Sequence, residues 1–147
     1  MISVVIPAFN EQENIPAAAE RLGSILAPLS DYELIFVDDG SKDGTWELIK
    51  QLGETDEHIR GLHFSRNFGK EGAVFAGLKA ADGDCVAVID CDLQHPPELL
   101  EKMYAAWEKR CGGRRGGQSV KRQGGHNIQA LCKDLLPYDE EQLGYRP

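Results

Sequence analysis

With 147 residues, 41% hydrophobic and 27% charged, the chain has the material of one ordinary globular domain, and its composition excludes both wholesale disorder and a fibrous fold. No apolar run approaches the ~20 residues that cross a bilayer, and Glu11 and Glu13 follow the apolar start too closely for a secretory leader. The net charge of −8 is unevenly spread: residues 1–109 carry 9 Lys/Arg against 20 Asp/Glu, and residues 110–147 carry 7 against 4. So acidic a body repels phosphate backbones, which argues against nucleic acid and towards an anion bridged by a metal.

In chain order, four apolar runs predict strands: Ser3–Ile6, Glu33–Val37, Arg60–Phe64 and Cys85–Ile89. Three are continuous rather than alternating, as strands buried on both faces are. Between them, Ile15, Ala18, Ala19, Leu22, Ile25 and Leu26 fall on one helical stripe, as do Trp46, Ile49 and Leu52. A third helix is expected over Gly69–Ala81 and a fourth over Pro97–Trp107, with Pro97 suited to a first turn. Alternating strands and helices imply an α/β fold with a parallel sheet of about four strands, which binds ligands at the strands' carboxyl ends. The four cysteines, Cys85, Cys91, Cys111 and Cys132, form no CxxC pair and are expected to stay reduced in a cytoplasmic setting.

After Lys109 the pattern changes. Residues 110–125 hold six glycines and five Arg/Lys with Val120 as their one aliphatic residue. Two readings stand: a basic, disordered loop leading to a small helix within Ile128–Leu136, or a shifted reading frame or truncated gene. Residues 1–109 are thus expected to form the domain, incomplete at its C-terminal side, and residues 110–147 an irregular tail.

Four clusters sit where the predicted strands end. Pro7-Ala8-Phe9-Asn10-Glu11 follows the first; Asn10 can serve there as a helix cap. Asp38-Asp39-Gly40-Ser41-Lys42-Asp43-Gly44 follows the second. Its glycines make a turn, and Ser41 or Asp43 can cap the next helix, but neither role needs both Asp38 and Asp39. Such carboxylates can accept hydrogen bonds from a ribose hydroxyl or a base N–H. Ser65-Arg66-Asn67-Phe68-Gly69-Lys70-Glu71 follows the third; Arg66 and Lys70 could meet an anion at a helix start, or form a polar turn capped by Asn67. Asp90-Cys91-Asp92-Leu93-Gln94-His95 follows the fourth. In an extended segment Asp90 and Asp92 point the same way, and two converging carboxylates call for a cation such as Mg²⁺ or Mn²⁺ between them. Cys91 then faces the core, and His95 is either structural or a further ligand.

VVIPAFNE, VDDGSKDGT, SRNFGKE and DCDLQHPPE, in this order over residues 2 to about 109, resemble family 2 of the glycosyltransferases, which have the Rossmann-like GT-A fold. SRNFGKEGAVFAGL with DCDLQHPPE is most similar to the branch that moves a sugar from a nucleotide to a polyprenyl phosphate. The resemblance implies that Pro7, Ala8, Asn10, Glu11 and Asp39 line a pocket for a UDP- or GDP-linked sugar. Asp90 and Asp92 would form the DxD motif, Asp92 as the direct metal ligand and Asp90 shared between ribose and metal, with Gln94 beside the sugar and diphosphate. It also implies inversion at the anomeric carbon, a lipid-phosphate acceptor at the membrane surface and a peripheral location there. The acceptor-side motifs of the family have no counterpart in residues 110–147. A non-catalytic nucleotide-sugar binder therefore stands as an alternative, and a homo-oligomer is compatible with the sequence. A phosphoacceptor signalling domain would place its acidic pair after the first strand, where this chain has Pro-Ala-Phe-Asn-Glu.

Overall fold

The computed structural model describes residues 1–94, 96–111 and 129–132. Strand β1 (Ile2–Ala8), helix α1 (Ile15–Leu26), β2 (Tyr32–Asp38), α2 (Thr45–Thr55), β3 (Ile59–His63), α3 (Lys70–Ala80), β4 (Cys85–Val88), α4 (Leu99–Cys111) and β5 (Gln129–Cys132) follow one another along the chain. The sheet has the order β3-β2-β1-β4-β5. Its first four strands are parallel, with Val4 beside Leu34 and Ala87, and β5 runs antiparallel to β4. The four expected strands and four expected helices are all present, and the fold class is the expected α/β one. The tail differs from expectation at one point: residues 129–132, placed in a small helix from their apolar content, form a strand. The edge of β4 offers unpaired backbone N–H and C=O groups, and pairing there satisfies the segment's own backbone as well.

The continuous apolar runs are explained by two cores, one on each face of the sheet. Val4, Ile6 and Ala8 of β1 with Leu34 and Phe36 of β2 pack against Ile15, Leu22 and Leu26 of α1, Ile49 of α2 and Leu100 of α4. Their neighbours Val5, Ile35, Val37, Val86 and Val88 face the other way, where Ala73 and Ala81 lie with Val74, Ala76 and Leu78 of α3. Side chains alternate across a strand, so a strand covered on both sides must be apolar at every position. Helix α3 lies against β1 at Gly77, where a Cβ would overlap Val5 Cγ1. β3, at the edge, keeps Arg60, Gly61 and His63 exposed.

The amino-terminal rim of the sheet is tied by one carboxylate. Glu33 is buried; it accepts hydrogen bonds from Ser3 Oγ (2.5 Å) and the Asp82 N–H (2.7 Å), and pairs with Arg60 (2.7 Å). The order of strands reverses between β1 and β4. The chain builds outward through β2 to β3 and then returns along α3 to the other side of β1. That reversal opens a crevice at the carboxyl ends, where ligands of open α/β sheets bind.

Candidate nucleotide and cation site

Three loops leave the carboxyl ends of β1, β2 and β3 and are tied to one another by polar contacts. Asn10 has a left-handed backbone (φ 56°). Its N–H donates to Ser41 Oγ (2.8 Å) and its Oδ1 accepts the Lys42 N–H (2.9 Å). The Glu11 N–H donates to Thr45 Oγ1 (2.9 Å), and Gln12 Oε1 accepts the Gly44 N–H (2.8 Å). Asn10 thus joins the loops after β1 and β2; Asn14 occupies the cap position of α1. Gly40, at φ 70°, passes against the next loop: a Cβ there would lie 2.7 Å from Asn67 N and overlap the Arg66 carbonyl carbon. Asp39 fixes the same loop from below, with Oδ1 accepting the Phe68 N–H (2.7 Å) and Oδ2 the Gly69 N–H (2.9 Å). Asp39 therefore holds the two residues that lead into α3 from across β3 in sequence, while the cap position of that helix is Gly69, without a side-chain cap, rather than Asn67.

A cleft of about 300 Å³ lies where these loops meet the end of β4. Pro7, Ala8, Glu11, Asp39, Lys70, Asp90 and Asp92 line it, together with Phe9, Asn67, Gly69, Ala73 and Cys91. Sequence reasoning had singled out the first seven. Phe9 and Asn67 carry no binding role in the sequence reading; that Phe9, a large aromatic just past a buried strand, stays 43% exposed is shown by the fold alone.

Among the described residues, four others marked from the sequence do not line the cleft. Asn10 serves the loop junction. Asp38 is fully buried and is occupied by the Ser41 N–H (3.0 Å) and His63 Nδ1 (2.7 Å). Arg66 lies over the Phe68 ring, 4.7 Å from its centroid. Gln94 is exposed, with its N–H on Asp92 Oδ1 (3.1 Å). His95 lies outside the described residues.

The Asp90–Asp92 segment is a turn rather than an extended strand end. The ladder of β4 stops at Val88, and the Leu93 N–H donates to Asp90 O (3.2 Å), with Leu93 at φ 51°. Both carboxylates still reach the cleft, and Cys91 between them is buried in the core. The Cys91 thiol is pushed up to about 12, first by burial and then by the negative charge of Glu11, Asp92 and Asp90. The cleft is thus strongly anionic. Lys70 is the one Lys or Arg among its described lining residues, and its Nζ stands 2.6 Å from Asp90 Oδ1. Lys70 therefore pairs across the crevice with Asp90 rather than with neighbouring Glu71.

These residues suit a hard divalent ion. The donors are carboxylate oxygens, and an ammonium already stands against one of them. No three His, Cys, Asp or Glu side chains among the described residues converge as a preformed cage, so substrate phosphate or water would complete the shell, as is usual for Mg²⁺.

A parallel sheet with a crevice at its reversal point, where Lys70 stands among four carboxylates, defines an open-sheet α/β protein. The family model Glycosyl transferase family 2 matches residues 3–145, and the chain belongs to that family. The bactoprenol glucosyl transferase of Shigella phage SfV is 44% identical over 109 residues, which is 73% of this chain and 35% of that protein. The undecaprenyl-phosphate 4-deoxy-4-formamido-L-arabinose transferase of Proteus mirabilis is 40% identical over 110 residues, 74% of this chain and 34% of that protein. The chain spans about a third of the length of these relatives. Among solved structures, the mannosyltransferase PcManGT from Pyrobaculum calidifontis, in complex with GDP-Man and Mn²⁺, superposes with a TM-score of 0.70 at 22% identity, over 99% of this chain and 47% of that one. S. aureus TarS in complex with UDP gives 0.64 at 22%, over 85% and 38%. The fold is accordingly the Rossmann-like GT-A arrangement.

Proposed function

We propose that this chain is the donor-binding part of a metal-dependent, inverting glycosyltransferase that moves a sugar from a UDP- or GDP-sugar to a polyprenyl phosphate. The observation that carries this reading is the crevice itself, where Glu11, Asp39, Lys70, Asp90 and Asp92 meet at the reversal of strand order. The names of the phage and Proteus relatives support a lipid-phosphate acceptor, and the GDP-Man and Mn²⁺ bound to PcManGT support the donor and the ion.

In this reading Pro7, Ala8 and Glu11 border the nucleoside, and Asp39 serves the base or ribose while it holds the loop before α3. Asp92 and Asp90 hold the divalent cation, Mg²⁺ or Mn²⁺, which when bound supplies charge neutralisation for the departing diphosphate. Lys70 adds a positive charge on the same side, and Gln94 lies next to Asp92 at the sugar end. An oxygen of the acceptor phosphate attacks the anomeric carbon as the bond to the diphosphate breaks, which inverts that centre. The acceptor is already ionised at neutral pH, so the chain needs to supply little general base; its contribution is positioning and electrostatic stabilisation.

Among the described residues no helix is long and apolar enough to cross a membrane. A cytoplasmic protein that meets its acceptor at the membrane face fits this reading. A second reading is a non-catalytic nucleotide-sugar binder, in which residues 1–109 hold the donor without transfer; it rests on residues 110–147 carrying none of the family's acceptor-side motifs. Calorimetry with UDP- and GDP-sugars, each with and without Mn²⁺, is the test. Donor binding should weaken at least tenfold without the ion and in Asp92→Asn; equal affinity with and without ion would refute the metal-dependent reading. Sugar transfer to lipid phosphate in added membranes separates the enzyme from the binder.

A further inference from the structure

We propose that the Lys70 ammonium is a resident counter-ion of Asp90 which a divalent cation must displace, and that its transfer to the donor diphosphate couples ion binding to donor binding. The inference rests on the donor and metal reading above and adds to it a role for Lys70.

Four carboxylates line the cleft, and three of them already accept hydrogen bonds from neutral N–H groups. Asp39 has the Phe68 and Gly69 amides, Asp92 has the Gln94 amide, and Glu11 Oε2 has Asn14 Nδ2 at 2.5 Å. Asp90 is the one paired to a charged group, with Lys70 Nζ 2.6 Å away. The pair is accessible: the Lys70 side chain is 54% exposed and that of Asp90 25%. The Lys70 backbone, by contrast, is fixed. It opens α3 directly after the two amides held by Asp39, and the Ala73 N–H closes the first turn on Gly69 O (3.1 Å).

A flexible four-carbon stem on a fixed backbone lets the ammonium move within the crevice without rearranging the loop. Two cations on one carboxylate repel. An arriving divalent ion therefore evicts Lys70, whose natural new partner in an otherwise anionic cleft is the donor's phosphate. The ion alone binds against this competition, whereas ion and diphosphate together remove it. Linkage makes the effect reciprocal.

The test uses the full 147-residue chain and Mn²⁺ alone, with binding read from the electron paramagnetic resonance signal of free Mn²⁺, for wild type, Lys70→Gln and Lys70→Arg. Lys70→Gln should bind Mn²⁺ about five- to tenfold more tightly than wild type, and Lys70→Arg should stay near wild type. At saturating Mn²⁺, Lys70→Gln should bind UDP and GDP about tenfold more weakly. Unchanged or weaker Mn²⁺ binding by Lys70→Gln, in a wild-type chain that still shows Mn²⁺-dependent nucleotide binding, overturns the counter-ion role and leaves the donor reading standing. If the wild-type chain binds neither Mn²⁺ nor nucleotide in its presence, the donor reading fails and the inference with it.

Discussion

Cys91 reports the electrostatics of the crevice from inside the core. Its thiol is held up to about 12, with burial the larger cause and the carboxylates of Glu11, Asp92 and Asp90 adding to it. The thiolate is the nucleophilic form, so this cysteine should be inert in the folded protein. With Ellman's reagent at pH 8.5, Cys91 should remain unmodified until denaturant is added, as peptide mapping of the labelled cysteines would check; rapid native labelling would contradict its burial. The same scale shows why two adjacent aspartates have different fates. Asp38 ends a strand and is consumed by Ser41 and His63 within the fold, whereas Asp39, one residue on, faces the crevice and holds the loop before α3.

Among the elements, α3 bears most directly on the site, because it starts at Lys70 and lies against β1 and β2. Its close approach depends on Gly77, which leaves no room for a methyl group beside Val5. Gly77→Ala gains helix propensity of about 1 kcal/mol but must push α3 off the sheet, and overpacking of this kind costs about 1–3 kcal/mol. The expected net result is a loss of up to about 2 kcal/mol in urea denaturation, together with weaker nucleotide binding as Lys70 shifts. A more stable variant would show that α3 can move freely. The helix expected over Gly69–Ala81 is present as Lys70–Ala80. The contact with Val5 belongs to the packing of α3 on the sheet.

For the whole molecule, the two rims of the sheet divide the work. The carboxyl rim carries the crevice, and the amino rim is closed by Glu33, which joins β1, β2, β3 and the connection into β4 through Ser3, Arg60 and Asp82. Burial alone would raise the Glu33 carboxyl, but Ser3, the Asp82 amide and Arg60 outweigh it and hold it below the usual range. A carboxyl depressed in the folded state contributes stability above its unfolded value of about 4.3 and loses that contribution as pH falls through the folded one. Glu33→Gln should therefore cost roughly 1–3 kcal/mol at pH 7, and the gap to wild type should close as pH is lowered from about 5 towards 3. Urea melts across that range measure it, and a gap that persists at pH 3 would assign the loss to packing instead.

Much of this protein was legible in its sequence. Runs such as Val4-Val5-Ile6 and Leu34-Ile35-Phe36-Val37 must be strands covered on both faces, since only such a strand needs apolar groups at consecutive positions. The alternation of strands with helices then fixes a parallel sheet, and with it the rim where Glu11, Asp39, Lys70, Asp90 and Asp92 gather. Tertiary structure decided what no local pattern encodes. The pairing of Lys70 with Asp90, the hold of Asp39 on the Phe68 and Gly69 amides, and the withdrawal of Asp38 from the crevice to His63 all depend on groups distant in sequence. Residues 129–132 became a strand for the same reason, because β4 offered an edge. A side chain's type and spacing state what it can bond to, but only the packed sheet determines which partner is within reach.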